Sequence, residues 1–333
     1  MEPHPPQAGL QEVAELDAEI AAWNRSAPPP GEGGFAAARQ QLRDRSASAL
    51  SLVVPPYRTA TEQTQQIAAG AGRVPVRILR PAGTAGPVPT VVYFHAGGWV
   101  LGGIDTHIGP ARRLCAETGS VVVSVEYRLA PEHPFPEAFD DALASASWAA
   151  ERLGELGGSA SLAVVGDSAG GQLAASVALA WRGDGRLAAQ GLIYPVLDAT
   201  GRYADPEVNR RYPSRGRAGV TGLTLARMAG YADAYLGEHR GADWRVSPLR
   251  AATVKGLPPA VVHTAGLDIL HSEGLSYAQR LRGAGVEVIA RSHPHLPHSY
   301  FGLGGVSRAA DTAAAAFCAD LRRLLNLPSV SVR

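Results

Sequence analysis

SLAVVGDSAGGQLAASVALA, residues 161–180, decides the fold, because a strand-like apolar run turns directly into a helical pattern. The run SLAVV indicates a strand buried on both faces, and the alanine-rich run after the glycines is typical of a helix. Ser168 stands between them, where the flanking glycines tolerate the strained backbone of a sharp turn. The pattern predicts a strand–turn–helix unit that exposes the Ser168 hydroxyl beside a helix N-terminus, as a nucleophile requires. The alternative is a glycine-rich helix start with no chemistry.

Strand-like runs alternate with helical patterns along most of the chain. The predicted strands are 74–80, 89–95, 121–127, 161–167, 190–196, 259–265 and 286–292. The predicted helices are 136–153, 169–183, 272–285 and 308–325. This alternation predicts an α/β fold with a mostly parallel sheet and helices on both faces.

Two segments interrupt the alternation. Near the N-terminus, an apolar helical face precedes a linker rich in Pro and Gly; its members are Val13, Leu16, Ile20 and Trp23. Residues 201–245 separate two predicted strands by more than a simple crossover needs, and they hold a polar loop and a further helical pattern. We expect both segments to form a lid over the carboxyl edge of the sheet, where open α/β sheets bind ligands.

The chain is therefore predicted to divide into core and cap segments. The N-terminal part of the cap is assigned to residues 1–50 and its second part to 201–245. The two parts of the α/β core are assigned to 51–200 and 246–333.

Composition and charge narrow the class of protein. The chain has 333 residues, of which 46% are hydrophobic and 18% charged, and a formal net charge of +1. Such a balance excludes binding of nucleic acid or of an anionic membrane by charge alone. No run approaches the roughly 20 apolar residues of a membrane helix. Cys115 and Cys318 are predicted to be free thiols in helical segments, so the prediction is a cytoplasmic protein without a membrane span.

A serine nucleophile needs a base, and the base needs a carboxylate to orient it. Asp268 follows the strand predicted at 259–265, and His298 follows the strand predicted at 286–292. Because parallel strands end at one edge of a sheet, both side chains can converge on Ser168. These three residues are the predicted catalytic triad.

Both partners of the serine have rivals in the sequence. Asp268 could instead cap the helix that follows it. The rival acids are Asp140, Asp141 and Glu273. The rival bases are His295, as second choice, and His293. The spacing H-x-H-x-x-H could also hold a metal ion, although no carboxylate or second cluster accompanies it, so no metal site is predicted.

The glycine-rich turn HAGGW, residues 95–99, follows a predicted strand. A tetrahedral intermediate on Ser168 needs backbone N–H donors for its oxyanion. We expect Gly97 and Gly98 to donate from one side and Ala169 from the other. A phosphate-binding loop is excluded, because the turn lacks both the Lys-Ser/Thr pair of a Walker loop and the third glycine of a dinucleotide-binding turn.

Several motifs together resemble one known family. They are HAGGW, EYRLAPEHPFPEAFDDA at 126–142, GDSAGG, WRVSPLRA at 244–251, LPPAVVHTAGLDIL at 257–270 and the histidine near the end. In this order they resemble the hormone-sensitive-lipase-like branch of the α/β-hydrolase esterases, bacterial family IV. The resemblance covers the chain from about residue 74 onward.

The resemblance implies an α/β-hydrolase fold, with a mostly parallel eight-stranded sheet and a two-part helical cap. It implies hydrolysis of small-molecule esters with short to medium acyl chains, without a cofactor, and makes a homodimer through an edge strand plausible. It places the nucleophile on Ser168, the acid on Asp268 and the base on His298. The residues it gives supporting roles are His95, Trp99 and Asp167.

The sequence departs from the family pattern at several positions. Ala96 replaces the first glycine of the family's HGGG run, which is tolerable where the backbone keeps a negative φ. The motif after the acid is D-I-L for D-P-L, Ser272 stands where an acidic residue is usual, and the motif at His298 is H-S-Y for H-G-F. None of these changes removes a triad member.

The second cap segment carries a cluster of arginines. They are Arg210, Arg211, Arg215 and Arg217. The first interpretation is a solvated loop. The alternative is that one or two of them hold an anionic group of the natural ester.

Two other functions stay open at this point. The same triad serves amide or N-acetyl hydrolysis and acyl hydrolysis in secondary metabolism. A ligand receptor built on an inactive hydrolase is the third hypothesis, and it is disfavoured because all three triad members are present.

Overall fold

The computed structural model describes residues 15–26, 33–53, 57–69, 72–84, 86–217, 222–239 and 241–326. Val13, which was assigned to the N-terminal apolar face, lies outside the described residues.

A single sheet of eight strands forms the centre of the described structure. The strands are β1 Thr59–Ala69, β2 Gly72–Pro81, β3 Val88–Phe94, β4 Val121–Val125, β5 Gly158–Asp167, β6 Ala189–Ile193, β7 Ala260–Leu267 and β8 Val288–Pro297. Their order across the sheet is β1-β2-β4-β3-β5-β6-β7-β8. β2 pairs antiparallel with both β1 and β4, and the strands from β4 to β8 are parallel. The predicted mostly parallel sheet is therefore confirmed.

Helices flank the sheet and follow most of its strands. They are α1 Ala18–Ser26, α2 Phe35–Val53, α3 Ile108–Thr118, α4 Glu137–Glu151, α5 Ala169–Ala180, α6 Pro206–Asn209, α7 Leu225–Leu236, α8 His271–Gly283 and α9 Arg308–Leu324. Short 3-10 turns lie at Thr200–Tyr203, Pro213–Arg217, Pro248–Arg250 and Tyr300–Gly302.

The sheet separates two apolar layers, and β3 contributes to both. Val92 and Phe94 face the layer that contains α4, α5 and α8. Val91 and Tyr93 face the layer that contains α3 and α9. All four side chains are fully buried, and each buried side chain of this size stabilises the fold by about 1.5–3 kcal/mol. This double burial explains why the strand is a continuous apolar run.

β1 is the strand that the apolar pattern did not identify. Its sequence TATEQTQQIAA is mostly polar, and its exposed residues lie at the edge of the sheet. It forms a long antiparallel ladder with β2, from Thr59 opposite Pro81 to Ala69 opposite Gly72. An edge strand needs few apolar side chains, because one side of it faces solvent.

The N-terminal helices lie at two different places on the core. Ile20 of α1 is buried in the layer of α3 and α9, whereas Trp23 is 37% exposed. The predicted helical face is wrong at Leu16, which packs against the same layer but precedes the helix, since α1 begins at Ala18. The side chain of Arg39, on α2, instead donates to the carbonyl oxygen of Val100, which follows the glycine-rich turn.

The described helices and cysteines bear on two further predictions. Among the described residues, no helix combines the length and the apolar character needed to cross a membrane. Cys115 and Cys318 are buried free thiols, as predicted. The location of the protein in the cell stays a prediction.

Helix α5 begins in direct contact with the end of β3, and this contact generates a testable prediction. A Cβ at Gly170 would lie 1.9 Å from the carbonyl oxygen of Phe94, whereas a Cβ at Gly154 would meet nothing within 4 Å. We expect Gly170→Ala to lower the free energy of unfolding by about 3 kcal/mol or more, because backbone must move. Gly154→Ala is the control, with an expected change within about 0.5 kcal/mol in urea unfolding. Equal stability of the two variants would contradict the close packing.

Candidate active site

Ser168 occupies the turn between β5 and α5 in an unusual backbone conformation. Its φ is 55° and its ψ is −116°. Its N–H donates to the carbonyl oxygen of Ile193 at 2.9 Å, and its own carbonyl oxygen accepts from the N–H of Val196 at 3.1 Å. A non-glycine residue pays strain for a positive φ, so the hydrogen bonds to the β6 segment hold this turn in place.

The structure brings Ser168, His298 and Asp268 into one hydrogen-bonded chain. Nε2 of His298 lies 2.9 Å from Oγ of Ser168, and Nδ1 of His298 lies 2.6 Å from Oδ2 of Asp268. The other carboxylate oxygen of Asp268 accepts from the N–H of Leu270 at 3.0 Å. The Asp268 side chain is fully buried, and that of His298 is 9% exposed. With Nδ1–H donating to the carboxylate, Nε2 is free to accept the serine proton.

The glycine-rich turn follows β3, which pairs with β5 so that Phe94 lies opposite Gly166, two residues before Ser168. Gly97 and Gly98 have φ values of 131° and 58°, and Ala96 keeps a negative φ. A Cβ at Gly97 would lie 2.1 Å from the carbonyl oxygen of Leu101. The N–H of Leu101 donates to the Gly97 carbonyl oxygen at 2.8 Å, which makes the turn compact. Ala169, the other expected donor, is the first residue of α5 and is buried.

His95 and Trp99 flank the glycines, and both side chains are fully buried. Nδ1 of His95 lies 2.7 Å from the carbonyl oxygen of Ala96, and the His95 ring stacks on Tyr127. Burial first, and the nearby His107 second, lower the pKa of His95 to about 3. The ring is therefore neutral at physiological pH. Trp99 donates its Nε1–H to Oε1 of Gln172 on α5 at 2.8 Å, which ties the turn to that helix.

Asp167 precedes the serine and holds two tyrosine hydroxyls that the sequence analysis did not single out. Tyr93 donates to Oδ1 at 2.8 Å, and Tyr194 donates to Oδ2 at 3.1 Å. Burial and then the Asp167 charge raise the pKa of both tyrosines, so the hydroxyls remain protonated donors. The ring of Tyr194 also lies against His298, with ring centroids 4.8 Å apart. Tyr93 and Tyr194 both lie inside predicted strands, 89–95 and 190–196, so the apolar pattern held no separate signal for this role.

The two rival histidines lie away from Ser168, each with its own partner. Nδ1 of His295 lies 3.0 Å from the carbonyl oxygen of Glu15. Nε2 of His293 lies 3.1 Å from Nδ1 of His263, whose Nε2 lies 3.0 Å from a carboxylate oxygen of Asp320. The described part of the chain holds no group of three or more His, Cys, Asp or Glu side chains suited to a metal ion.

The rival acids also have separate places. Asp140 is exposed on α4. Asp141 is buried and accepts from the guanidinium of Arg128 at 2.7 and 2.8 Å. Glu273 is fully buried in an ion pair with Arg215.

The solvated-loop interpretation of the arginine cluster is wrong for Arg215, whose side chain is fully buried against Glu273. Arg210, which directly follows α6, is exposed and pairs with Glu207 of that helix, and Arg211 is exposed. The side chain of Arg217 lies outside the described part of the structure. A substrate-binding role for Arg210, Arg211 or Arg217 stays a prediction.

This chain is similar to several proteins named as esterases. Residues 91–302 match a family described as alpha/beta hydrolase fold. The carboxylesterase NlhH of Mycobacterium tuberculosis is 38% identical over 256 residues, which cover 76% of this chain and 79% of that protein. The esterase LipI of the same organism is 35% identical over 301 residues, which cover 89% of this chain and 90% of that protein. A crystal structure of a Pyrobaculum calidifontis esterase has a TM-score of 0.84 at 32% identity, over 93% of this chain and 99% of that one.

The half-buried His293 predicts a pH dependence of stability. Burial first, and then His263 and Arg291, lower its pKa from 6.5 to about 4. The unfolded chain therefore binds more protons than the folded chain between pH 6.5 and pH 4, so the free energy of unfolding falls as the pH falls through this window. We expect His293→Gln to remove about 1–2 kcal/mol of that fall, once solvent screening is included.

Urea unfolding of both proteins at the two ends of the window measures the difference. Glutamine keeps an N–H that can donate to His263 but does not titrate. An equal loss of unfolding free energy in the variant and the wild type would contradict the prediction.

Proposed function

This chain belongs to the α/β-hydrolase fold family, and on that premise we propose that it hydrolyses esters through an acyl-enzyme on Ser168. The chain is a carboxylic ester hydrolase, like the relatives named carboxylesterase and esterase. Short- to medium-chain acyl esters of small molecules are the proposed substrates. The observation that carries the proposal is the continuous path from Asp268 through His298 to Ser168, with distances of 2.6 and 2.9 Å.

In the proposed acylation, Nε2 of His298 accepts the Ser168 proton while Oγ attacks the ester carbonyl carbon. The carbonyl oxygen becomes an oxyanion, and the N–H groups of Gly97, Gly98 and Ala169 donate to it. The intermediate collapses as His298 gives the proton to the alcohol oxygen, the carbon–oxygen bond breaks and the alcohol leaves. Water, deprotonated by the same imidazole, then attacks the acyl carbon, and His298 returns this proton to Oγ of Ser168 as the bond between Oγ and the acyl carbon breaks and the acid leaves.

Electrostatics explain how this arrangement lowers the barrier. The buried Asp268 carboxylate stabilises the imidazolium that forms when His298 takes the proton. Each oxyanion donor is already fixed by the compact turn or by the start of α5, so little reorganisation is needed during the reaction. Loss of one such donor typically costs about 3 kcal/mol of transition-state stabilisation.

The proposed two-part cap consists of the N-terminal segment 1–50 and of residues 201–245, which we call the insertion. Tyr231 of the insertion packs directly on the oxyanion turn, since a Cβ at Gly98 would lie 2.5 Å from its Cδ2 atom. Phe35 of α2 lies next to Tyr231, with ring centroids 6.2 Å apart. These aromatic rings support a site that is roofed by both parts of the cap and is limited in the length of acyl chain it accepts.

The nucleophile is tested by Ser168→Ala. We expect kcat/KM on p-nitrophenyl butyrate to fall by about 10⁴-fold or more, because no acyl-enzyme can form. Wild-type enzyme treated with a fluorophosphonate should gain one adduct by mass spectrometry, on the peptide that contains Ser168, and the variant should gain none.

Ser276→Ala is the matched control for this test, since Ser276 lies on α8 and donates to the carbonyl oxygen of Ser272. It should keep wild-type turnover. Substantial esterase activity in Ser168→Ala, or an adduct on another residue, would refute the proposed mechanism.

The role of the cap in chain length is tested by Tyr231→Ala. Removing the ring enlarges the site beside Gly98, so kcat/KM for p-nitrophenyl octanoate relative to the acetate should rise roughly tenfold. Tyr231→Phe keeps the ring and should leave the ratio unchanged. A ratio that stays constant in Tyr231→Ala would show that this ring does not limit the acyl chain.

A further inference from the structure

A fully buried ion pair joins the insertion to the core next to the loop that carries Asp268. Arg215 lies in the turn Pro213–Arg217, and Glu273 lies in the first turn of α8. Nη2 and Nε of Arg215 donate to Oε1 of Glu273 at 2.7 and 3.2 Å, and neither side chain is exposed. The pair thus connects residues 58 positions apart in the chain.

The remaining groups of Arg215 are engaged within the protein. Nη1 donates to the side-chain oxygen of Asn209 at 2.9 Å, and Nη2 donates to the carbonyl oxygen of Asp198 at 2.7 Å. The guanidinium lies between the rings of Tyr203 and Tyr212, at 4.1 and 4.4 Å from their centroids. Burial acts to lower the pKa of Arg215, but the charge and hydrogen bonds of Glu273, together with Tyr203 and Asp198, outweigh it and raise this pKa. Arg215 is therefore a permanent cation without room for a substrate carboxylate.

Glu273 extends the connection to the segment that follows β6. Its Oε2 accepts from the N–H groups of Leu197 and Asp198 at 2.8 and 2.9 Å, and from the Tyr203 hydroxyl at 3.2 Å. A carboxylate surrounded by donors of this kind is held in one orientation. The insertion, the start of α8 and the segment after β6 therefore meet at one buried charge pair.

Ser214, next to Arg215, reaches the acid loop itself. Its hydroxyl donates to the carbonyl oxygen of Ile269, the residue after Asp268, at 2.7 Å. The same hydroxyl accepts from the N–H of Ser272, and the Ser214 N–H donates to the Ser272 hydroxyl, both at 3.0 Å. These bonds clamp the chain between Asp268 and the start of α8. The family pattern has an acidic residue at position 272. In this chain Ser272 stands there, and it exchanges two hydrogen bonds with Ser214.

We propose that Arg215 and Glu273 are positioning residues, which hold Ser214 on the acid loop and so keep the Asp268 carboxylate aligned with His298. This inference rests on the proposed function, because it assigns the pair a role through the triad acid. The insertion then does more than cover the site, since it also fixes one member of the catalytic machinery.

The choice of a charged pair over apolar packing fits a positioning role. Desolvation of two charges consumes most of their attraction, so a buried pair adds little net stability compared with apolar side chains of the same volume. It does impose a direction and a distance, which apolar contacts do not. Displacement of a reacting group by about 1 Å can cost about a hundredfold in rate.

The test compares Ser214→Ala, Glu273→Gln, Arg215→Met and Arg215→Lys with the wild-type chain, using p-nitrophenyl butyrate. We expect kcat to fall about tenfold in Ser214→Ala and about ten- to a hundredfold in Glu273→Gln and Arg215→Met, with KM changing less than about twofold. Arg215→Lys keeps the charge and should recover part of kcat. The double variant Arg215→Met with Glu273→Gln should lose no more than Arg215→Met alone, because the pair acts as one unit.

Arg113→Met is the matched control, because it removes another buried arginine, 1% exposed, which pairs with Asp311 on the opposite face of the sheet. Its melting temperature should fall while its kcat per folded molecule stays at the wild-type value. If the insertion variants melt at lower temperature in the same way but keep wild-type kcat, the pair is structural only and the inference fails. A selective rise of KM for esters of dicarboxylic acids would overturn it too, since that result would assign Arg215 to the substrate.

Two features of the design keep the result interpretable. Ser214→Ala removes only a hydroxyl, so it decides the question even if Arg215→Met does not fold. A missing fluorophosphonate adduct in the wild-type enzyme would instead refute the acyl-enzyme on Ser168. Failure of the proposed function is thereby distinguishable from failure of the positioning role.

Discussion

The strained turn at Ser168 is the constraint on which the rest of the site depends. A positive φ at a non-glycine residue costs about 1–3 kcal/mol and persists only where the surroundings impose it. Here the constraint comes from the end of β6 and the residues after it, because Ile193 accepts from the Ser168 N–H and the N–H of Val196 donates to the Ser168 carbonyl oxygen. The helix after the serine also approaches both β3 and β5 closely: a Cβ at Gly170 would meet the Phe94 carbonyl oxygen of β3, and a Cβ at Gly166 of β5 would meet the Gly170 carbonyl oxygen of the helix. Glycine is therefore required at both positions, because any side chain would overlap neighbouring backbone atoms.

The parallel sheet then determines where the partners of the serine can be. β5, β7 and β8 run in the same direction, so Ser168, Asp268 and His298 all follow the carboxyl ends of strands at one edge. The Asp167 carboxylate, buried beside Ser168, is paired, because it accepts from the hydroxyls of Tyr93 and Tyr194. Such pairing matters because an unpaired buried polar group costs about 1–3 kcal/mol. The hydrogen bond from Tyr194 to Asp167 also holds the tyrosine ring against the ring of His298.

The sequence predicted the parts of the structure whose signals are local. Each of the seven predicted strands overlaps an observed strand, because apolar runs and glycine turns are written in consecutive residues. The prediction missed β1, whose polar residues satisfy an edge strand without an apolar pattern. It also placed Arg215 in solvent, since a cluster of arginines is usually solvated and its partner Glu273 is distant in the chain. Tyr194 escaped notice for a related reason, because its role depends on contacts with Asp167 and His298 that only the folded chain creates.

Side chains of α2 and of the insertion hold the loops of the site by donating hydrogen bonds to backbone carbonyl oxygens. Arg39 of α2 donates to the carbonyl oxygens of Val100 and Ala130. The two loops that carry these residues are also joined directly, because the N–H of Ala130 donates to the carbonyl oxygen of Trp99. Ser214 of the insertion likewise donates to the carbonyl oxygen of Ile269. A carbonyl oxygen is present whatever side chain its residue carries, so these braces do not constrain the sequence of the loops they hold. Side chains that line the site can therefore change while the glycine-rich turn and the loop of Asp268 keep their positions, provided that Arg39, Ser214 and the buried pair of Arg215 and Glu273 remain.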